Sequence, residues 1–388
     1  MNDFIYDVPT KVYFGEQIDH LGDELKKFGS RVLMVYGGGS IKKNGIYDDV
    51  VKSVTDASLE LFELSGVEPN PRITTVRRGV KKCKDNAVDV ILAVGGGSTI
   101  DAAKGIAAGA KVDFDPWEFY VGTKKIQDAL PIVTVLTNSA TGSEMNVNSV
   151  VSNEQTKDKL GTKGRAVLPQ VSFLNPEYTF SVNAYHTACG AADILSHVFE
   201  AYFNLNDDLY MLDCVMEGLM KTVIKYAPIA IANPSDYEAR ANLMWASSWA
   251  LNGFIRGGKS QGWSCHPIEH ELSAIYDVTH GLGLAILTPR WMKYCLNEKT
   301  AYKFAQFGIN VFGIDENLDD MEIAEKAIGM LSEFLFGTLN LKSTLTEIGI
   351  GKENFAVMAK KACRGSECIK GFLKLYPGDI EKILEMCL

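Results

Sequence analysis

Four residues of types that hold a divalent transition metal occur in the second half of the chain: Asp193, His197, His266 and His280. A fifth such group, His270, lies among them. Asp193 and His197 are four residues apart in AADILSHVFEAYF, a helical pattern that places both side chains on one face. Three imidazoles and one carboxylate suit Fe(II), Zn(II), Ni(II) or Co(II) better than Ca(II) or Mg(II), which prefer oxygen ligands. The spacing therefore predicts a metalloenzyme.

The histidine-rich stretch GWSCHPIEHELSAIYDVTHGLGLAIL argues against one familiar class of metalloenzyme. In HExxH zinc peptidases a glutamate directly follows the first histidine, whereas Pro267 occupies that position here. Four ligands of this kind would saturate a tetrahedral structural zinc, but they leave open positions on a metal that accepts five or six ligands. The pattern favours a catalytic centre to which a substrate can bind.

Composition limits the partners and the location. The 388 residues are 46% hydrophobic, enough for a large core and two domains, and carry a formal charge of −9. An acidic surface argues against nucleic-acid or anionic-membrane partners, so a small-molecule ligand is expected. The absence of a leader-like N-terminus, of a bilayer-length apolar run and of any CxxC pair among eight cysteines predicts a cytoplasmic protein.

The elements that position these residues follow from the hydrophobic pattern. In the first half, the apolar runs RVLMVY, VDVILAV and LPIVTVLT each lead into a glycine- or serine-containing loop and then a helical stretch, which is typical of a parallel sheet with crossover helices. The opening YDVPTKVYFGE predicts a further edge strand or hairpin. Helical periodicity takes over beyond the joint at Asn175 to Ser181. We predict a Rossmann-like α/β dinucleotide-binding domain over residues 1–180 and an all-α metal-binding domain over residues 181–388.

Two GGGS loops are candidates for phosphate binding: Gly37, Gly38, Gly39 and Ser40, and Gly95, Gly96, Gly97 and Ser98. Glycines between a buried strand and a helix let the backbone approach a phosphate, although a tight strand-to-helix turn would explain them equally well. Neither loop is a GxGxxG fingerprint or a Walker A motif. The first loop offers no carboxylate to repel a 2′-phosphate and is followed by Lys42 and Lys43, which favours NADP(H) over NAD(H).

Several motifs give the chain a resemblance to a known family: the two glycine loops, AADILSHVFEAYF, the histidine-rich stretch, SGVEPNPRITTV, TNSATGSE and YEARANLMWASS. With them the chain resembles the iron-containing (group III) alcohol dehydrogenases, and among these the butanol dehydrogenases of anaerobic bacteria. The resemblance covers essentially the whole chain. It implies metal ligands at Asp193, His197, His266 and His280, with His270 close to substrate and nicotinamide. It places the second glycine loop at the pyrophosphate and further nucleotide contacts at Asn70, Thr137, Asn138, Asn146 and Lys159. Gly37 occupies the position at which an NAD-preferring relative carries aspartate.

The resemblance also implies an activity, an alcohol dehydrogenase or aldehyde reductase acting on a primary alcohol or aldehyde such as butanol or butyraldehyde. Fe(II), or Zn(II) or another divalent metal in its place, would act as a Lewis acid, with His270 as a proton relay. A homodimer or larger homo-oligomer is expected.

Three alternatives stay open. A dehydroquinate synthase-like lyase would show no net NADPH turnover, and a glycerol dehydrogenase would prefer glycerol to butanol. A silent metal or nucleotide sensor would bind without any turnover.

Overall fold

The computed structural model describes residues 2–204, 209–259 and 262–388. Its strands are β1 (Lys11–Phe14), β2 (Arg31–Tyr36), β3 (Glu60–Leu64), β4 (Val90–Gly95), β5 (Ile132–Leu136), β6 (Asn148–Asn153), β7 (Asp158–Lys163), β8 (Val171–Leu174), β9 (Ile369–Lys370) and β10 (Lys374–Leu375). Its α-helices are α1 (Leu21–Lys26), α2 (Ser40–Lys43), α3 (Ile46–Asp56), α4 (Ile73–Asp85), α5 (Gly97–Gly109), α6 (Trp117–Tyr120), α7 (Ala184–Tyr202), α8 (Tyr210–Ala232), α9 (Tyr237–Leu251), α10 (Cys265–Tyr276), α11 (His280–Cys295), α12 (Ala301–Phe307), α13 (Asp320–Ser332), α14 (Phe355–Ala362) and α15 (Pro377–Glu385).

These elements form two compact units. The α/β unit contains Asp7–Val182 and Pro234–Asn252, and the helical unit contains Met1–Tyr6, Asn183–Asn233 and Gly253–Leu388. Helix α9 thus belongs to the α/β unit although it follows α7 and α8 in the chain. The predicted combination of a parallel-sheet N-terminal region with a helical C-terminal region is confirmed.

The sheet of the α/β unit has six parallel strands in the order β1-β8-β5-β4-β2-β3. The predicted edge strand is β1, which pairs with β8 at one edge. After β2 the chain adds β3 on one side and then returns to add β4 on the other. The direction of strand addition therefore reverses between β2 and β4, at the point where open α/β sheets bind their ligands outside the carboxyl ends of the strands.

Burial on both faces of the sheet explains why its strands are continuous apolar runs. Along β2, Leu33 and Val35 belong to one core cluster, whereas Val32 and Met34 belong to the other, as the two-residue repeat of a strand requires. The strands β4 and β5 are buried at every position. The core of this unit lies in two layers, one on each side of the sheet.

The structure contains two antiparallel strand pairs that the sequence did not predict. The pair β6–β7 joins Asn153 to Asp158 across a turn, and the pair β9–β10 lies in the helical unit. Their segments are short or polar, so they lack the apolar runs by which the sheet strands are recognised.

The helical unit is built around α7, whose residues are buried from Thr187 to Tyr202. This helix packs against α8 and α11. Among the described residues, the structure has no helix both long and apolar enough to cross a membrane.

Candidate metal centre and nucleotide-binding loops

Helix α7 brings two of the predicted metal ligands together. Asp193 and His197 are one helical turn apart, and His197 Nε2 lies 3.6 Å from Asp193 Oδ1. Glu200 follows on the same face, one turn further along the helix. All three are almost fully buried, with exposed fractions of 3%, 4% and 7%. The apolar surroundings of this helix thus enclose a short polar stripe.

The other two predicted ligands come from α10 and α11. His266 is the second residue of α10, and His280 is the first residue of α11. Asp277 ends α10 in the left-handed region, with φ 55°, and so reverses the chain between the two helices. A Cβ at Gly281 would lie only 2.0 Å from the backbone oxygen of Cys189, so glycine is required for α11 to approach α7 this closely.

The four predicted ligands converge within the helical unit. Single ligand atoms of Asp193, His266 and His280 all lie within 4.8 Å of one another. His280 Nε2 is 3.8 Å from Asp193 Oδ1, and the His197 and His266 rings stack with centroids 4.8 Å apart. The His280 side chain is the most exposed of the four, at 22%. The cluster is therefore buried at Asp193, His197 and His266 and partly exposed at His280.

Two glutamates that the sequence interpretation did not single out orient the histidines. Glu200 Oε1 lies 3.2 Å from His266 Nδ1, and the same carboxylate accepts hydrogen bonds from the backbone N–H groups of Ser264, Cys265 and His266. Glu269 Oε2 contacts His280 Nδ1. A carboxylate at Nδ1 fixes the ring so that Nε2 keeps its lone pair for a metal. The helical spacing from Asp193 through His197 to Glu200 could have identified Glu200 from the sequence. No spacing in the sequence identifies Glu269.

Electrostatics keep the buried histidines neutral. Burial lowers the pKa of His197 well below its usual value, and the neighbouring His266, His280 and Arg256 lower this pKa further. Burial also lowers the pKa of His266, despite the opposing effect of Glu200. A neutral imidazole is the form that binds metal. The adjacent Cys265 has a pKa raised well above that of a free thiol, mainly by burial, so it remains a thiol.

The donor set fits a divalent transition metal. His266 Nε2 and His197 Nδ1 are buried and have no hydrogen-bond partner in the part of the chain that the structure describes. A buried polar atom without a partner is costly, whereas a ring nitrogen aimed at a metal is satisfied. Three neutral imidazoles and a carboxylate have the chemistry that Fe(II) or Zn(II) prefers.

His270 borders this cluster without joining its centre. Its ring centroid lies 5.7 Å from that of His280 and 6.5 Å from that of His266. The side chain is buried, and Nδ1 lies 3.0 Å from Arg364 Nη2. The ring thus lies next to the cluster, and ligand atoms of Glu269, His270 and His280 lie within 4.8 Å of one another.

The two glycine loops lie at the carboxyl ends of neighbouring strands in the α/β unit. Gly37 directly follows β2, and Gly95 is the last residue of β4. These are the strands between which the direction of strand addition reverses. Helix α5 begins at Gly97, directly beyond Gly96, and a helix N-terminus favours an anionic group.

Glycine is required in the second loop by close packing within the unit. A Cβ at Gly95 would lie 2.4 Å from Thr99 Oγ1, and one at Gly97 would lie 2.3 Å from Thr141 Oγ1. The first loop is different, because a Cβ at Gly38 or Gly39 would meet nothing within 4 Å. Packing alone thus accounts for the second loop, whereas the first has open space beside it.

The remaining predicted nucleotide contacts occupy three further segments of the α/β unit. Asn70 is buried with φ 50° in the loop after β3, whose Gly66 N–H donates to the Gly37 carbonyl. Thr137 follows β5, and its N–H donates to the Gly95 carbonyl. Asn138 lies beside Gly96, where a Cβ would be 3.2 Å from Asn138 Cβ.

Asn146 and Lys159 are more enclosed. The Asn146 amide donates to the Gly142 carbonyl and accepts from Lys104 Nζ at 3.1 Å. Lys159 lies on β7 opposite Ser152 and is 4% exposed. Asn146 is therefore already held by internal hydrogen bonds. Lys159 lies in a buried position.

Candidate metal ligands in the helical unit and glycine loops at the strand ends of a parallel sheet are the features expected of a nucleotide-dependent metalloenzyme. The model of the iron-containing alcohol dehydrogenases matches residues 9–176, and that of the C-terminal region of the Fe-containing alcohol dehydrogenases matches residues 187–388. The chain belongs to the iron-containing alcohol dehydrogenase family and is an oxidoreductase of alcohols and aldehydes. Membership implies iron and a nicotinamide nucleotide as cofactors.

Similar proteins span the full chain. NADH-dependent butanol dehydrogenase A of Clostridium acetobutylicum is 52% identical over 100% of this chain and 99% of its own. The NADPH-dependent aldehyde reductase YqhD of Escherichia coli is 36% identical over 93% of each chain. The crystal structure of NADH-dependent butanol dehydrogenase A from Thermotoga maritima superposes with a TM-score of 0.94 at 39% identity, covering 100% of this chain and 99% of that one.

Proposed function

We propose that the protein interconverts short primary alcohols and aldehydes, with butanol and butyraldehyde as a substrate pair. The observation that carries this proposal is that ligand atoms of Asp193, His266 and His280 lie within 4.8 Å of one another, with the His197 ring stacked on that of His266. Among the described residues, His266 Nε2 has no hydrogen-bond partner. The similarity to butanol dehydrogenases and to an aldehyde reductase supports the substrate class.

We further propose that these four side chains hold Fe(II), with Zn(II) as a functional substitute. The metal supplies Lewis-acid polarisation of the substrate oxygen when bound. Glu200 and Glu269 hold His266 and His280 in the tautomer that exposes Nε2. A bound nicotinamide would supply or accept the hydride that the substrate carbon exchanges. His270 serves the substrate oxygen, because its ring borders the cluster.

The test combines metal removal with two histidine variants. Protein purified without oxygen should lose NADPH oxidation with butyraldehyde on chelation and regain it with Fe(II) or Zn(II). His266→Ala should lose both metal and turnover, whereas His270→Ala should lose turnover and keep the metal. Turnover that persists after complete metal removal would refute the mechanism. A metal-free His270→Ala would instead show that the ligand set is wrong.

We propose that residues 1–180 bind the dinucleotide and residues 181–388 the metal. Gly95, Gly96, Gly97 and Ser98 would contact the pyrophosphate, and Asn70, Thr137, Asn138, Asn146 and Lys159 would line the rest of the nucleotide site. The packing of Asn138 against the second glycine loop supports this assignment. Asn138→Ala should raise the KM for the nucleotide without changing the metal content.

We propose that NADP(H) is preferred over NAD(H). The first loop, Gly37 to Ser40, carries no carboxylate and has open space beside Gly38 and Gly39 for a 2′-phosphate. The nearby carboxylate of Glu63 is already occupied by hydrogen bonds from Tyr36 and Tyr47. Several relatives carry NADH in their names and YqhD carries NADPH, so kcat/KM for both nucleotides is the deciding measurement. A higher kcat/KM with NADH would overturn this proposal.

We also propose a homodimer or larger assembly in the cytoplasm. The eight cysteines are all unpaired, which is typical of a reducing compartment. The edge position of β1 offers a strand for pairing between copies. Light scattering coupled to size-exclusion chromatography would measure the assembly, and a monomer at working concentrations would contradict it.

A further inference from the structure

The turn between α14 and β9 carries an arginine in a restrained backbone conformation. Arg364 has φ 48°, in the left-handed region that disfavours side chains, and Gly365 follows with φ 76°. The turn is closed by hydrogen bonds from the Arg364 N–H to the Lys361 carbonyl, at 2.8 Å, and from Ser366 to Cys363, at 2.9 Å. Left-handed backbone at a residue other than glycine persists only where its surroundings hold it. The position of Arg364 is therefore well defined.

The arginine side chain reaches the ring that borders the metal cluster. Arg364 Nη2 lies 3.0 Å from His270 Nδ1. A guanidinium has donors and no acceptor, so Nδ1 must be the acceptor in this bond. The proton of the neutral ring is then on Nε2.

The same turn contains a second cation that serves for comparison. Lys361 Nζ lies 3.4 Å from Glu271 Oε2, so it also joins the end of α14 to α10. That carboxylate belongs to the residue next to His270 in the sequence. Arg364 and Lys361 thus both join the end of α14 to α10, Arg364 through the His270 ring and Lys361 through the Glu271 carboxylate.

We infer that Arg364 is a positioning residue that holds His270 as the neutral, Nε2-protonated tautomer. This inference rests on the proposed function for the identity of the oxygen that His270 serves. With Nδ1 engaged by a cation, the ring donates a hydrogen bond from Nε2 to that oxygen and does not pass a proton from one nitrogen to the other. In aldehyde reduction the hydride supplies both electrons, the C–H bond forms as the carbonyl π bond breaks, and the proton that completes the alcohol comes from solvent.

The test compares Arg364→Met, Arg364→Lys and the matched control Lys361→Met in protein labelled with ¹⁵N-histidine and loaded with Zn(II). A His270→Asn spectrum assigns the His270 signals. In the wild type, His270 should show a protonated Nε2 and a bare Nδ1. Arg364→Met should populate both tautomers and lower kcat for aldehyde reduction about tenfold, with the aldehyde KM within about twofold and the metal content unchanged. Arg364→Lys should restore much of the loss, and Lys361→Met should match the wild type.

Two results would overturn this role. One is an unchanged His270 tautomer in Arg364→Met. The other is an equal effect of Lys361→Met on tautomer and kcat, which would reduce Arg364 to a general support of the turn. A wild type that shows the expected tautomer but reduces no aldehyde would refute the proposed function and leave the Arg364 bond intact. The two failures are thus distinguishable.

Discussion

Glu269→Gln should weaken metal binding while leaving the fold intact. Glu269 is completely buried and contacts both His280 Nδ1 and the Ser273 hydroxyl. Glutamine has the same shape, so its Oε1 can still accept from His280 while its amide N–H donates to Ser273 Oγ. The Ser273 hydroxyl, which donates to Glu269 in the wild type, can turn its single proton to the Val278 carbonyl, whose oxygen lies 3.0 Å away. The substitution therefore removes one negative charge and little else.

The expected magnitude follows from that charge. A hydrogen bond to an ionised acceptor is roughly twice as strong as one between neutral groups, and the carboxylate also raises the basicity of the ligating imidazole. Loss of such a partner costs about 10- to 100-fold in metal affinity, equivalent to about 1.4–2.7 kcal/mol. The metal-free protein should unfold at nearly the same temperature as the wild type, since no cavity or unpaired donor is created.

Competition with a chelator of known affinity, on metal-free protein refilled with Zn(II), measures the effect directly. Glu271→Gln is the matched control, because Glu271 is also buried on the same helix but pairs with Lys361. The reasoning would be refuted by a change in affinity below about twofold, or by an equal change in the control. A large drop in the melting temperature of the metal-free variant would show that Glu269 acts on the fold instead.

Three further substitutions follow from the structure. Gly37→Asp should shift the ratio of kcat/KM for NADH to that for NADPH by at least about tenfold toward NADH, because the new carboxylate would repel a 2′-phosphate. The site tolerates the side chain, since a Cβ there would meet only ordinary contacts, the nearest at 3.5 Å. An unchanged ratio would remove Gly37 from the nucleotide site. Gly281→Ala should lower the free energy of unfolding by about 1–3 kcal/mol in urea titrations, because its Cβ would lie 2.0 Å from a backbone oxygen of α7. The control is Gly329→Ala on α13, where a Cβ would meet nothing within 4 Å. It should leave the free energy of unfolding unchanged or raise it. Burial raises the pKa of Glu24, but hydrogen bonds from two lysines and a tyrosine outweigh it and lower the pKa to about 2. The ionised Glu24 therefore stabilises the folded state fully above the pKa of glutamate in the unfolded chain, about 4.3, and this contribution is lost as pH falls toward 2. Glu24→Gln should flatten the pH dependence of the urea midpoint in that acidic range.

Much of the α/β unit could be predicted from short-range patterns. The runs at β2, β4 and β5 are apolar because both faces of the sheet are covered, so burial leaves a direct trace in the residues themselves. The hairpin β6–β7 could not be predicted in this way. Its residues are polar, and what stabilises it is pairing with a partner strand rather than a hydrophobic run.

The same distinction between local pattern and long-range pairing applies to the candidate metal centre. Asp193 and His197 could be paired from the sequence, because a helix brings residues four apart onto one face. Their approach to His266 and His280 depends on how α7, α10 and α11 pack, which no spacing in the chain specifies.

By itself the sequence determined the fold class, the residue types of a transition-metal site and the family resemblance, because each of these is carried by local periodicity or by short motifs. Only the tertiary structure decided which side chains contact the histidines and orient them. Glu200, Glu269 and Arg364 reach the histidines from different turns or elements of the helical unit, and α9 packs with the α/β unit despite its place in the chain. The physical reason is that a hydrogen bond between distant residues depends on helix packing, and packing depends on shape summed over the whole core.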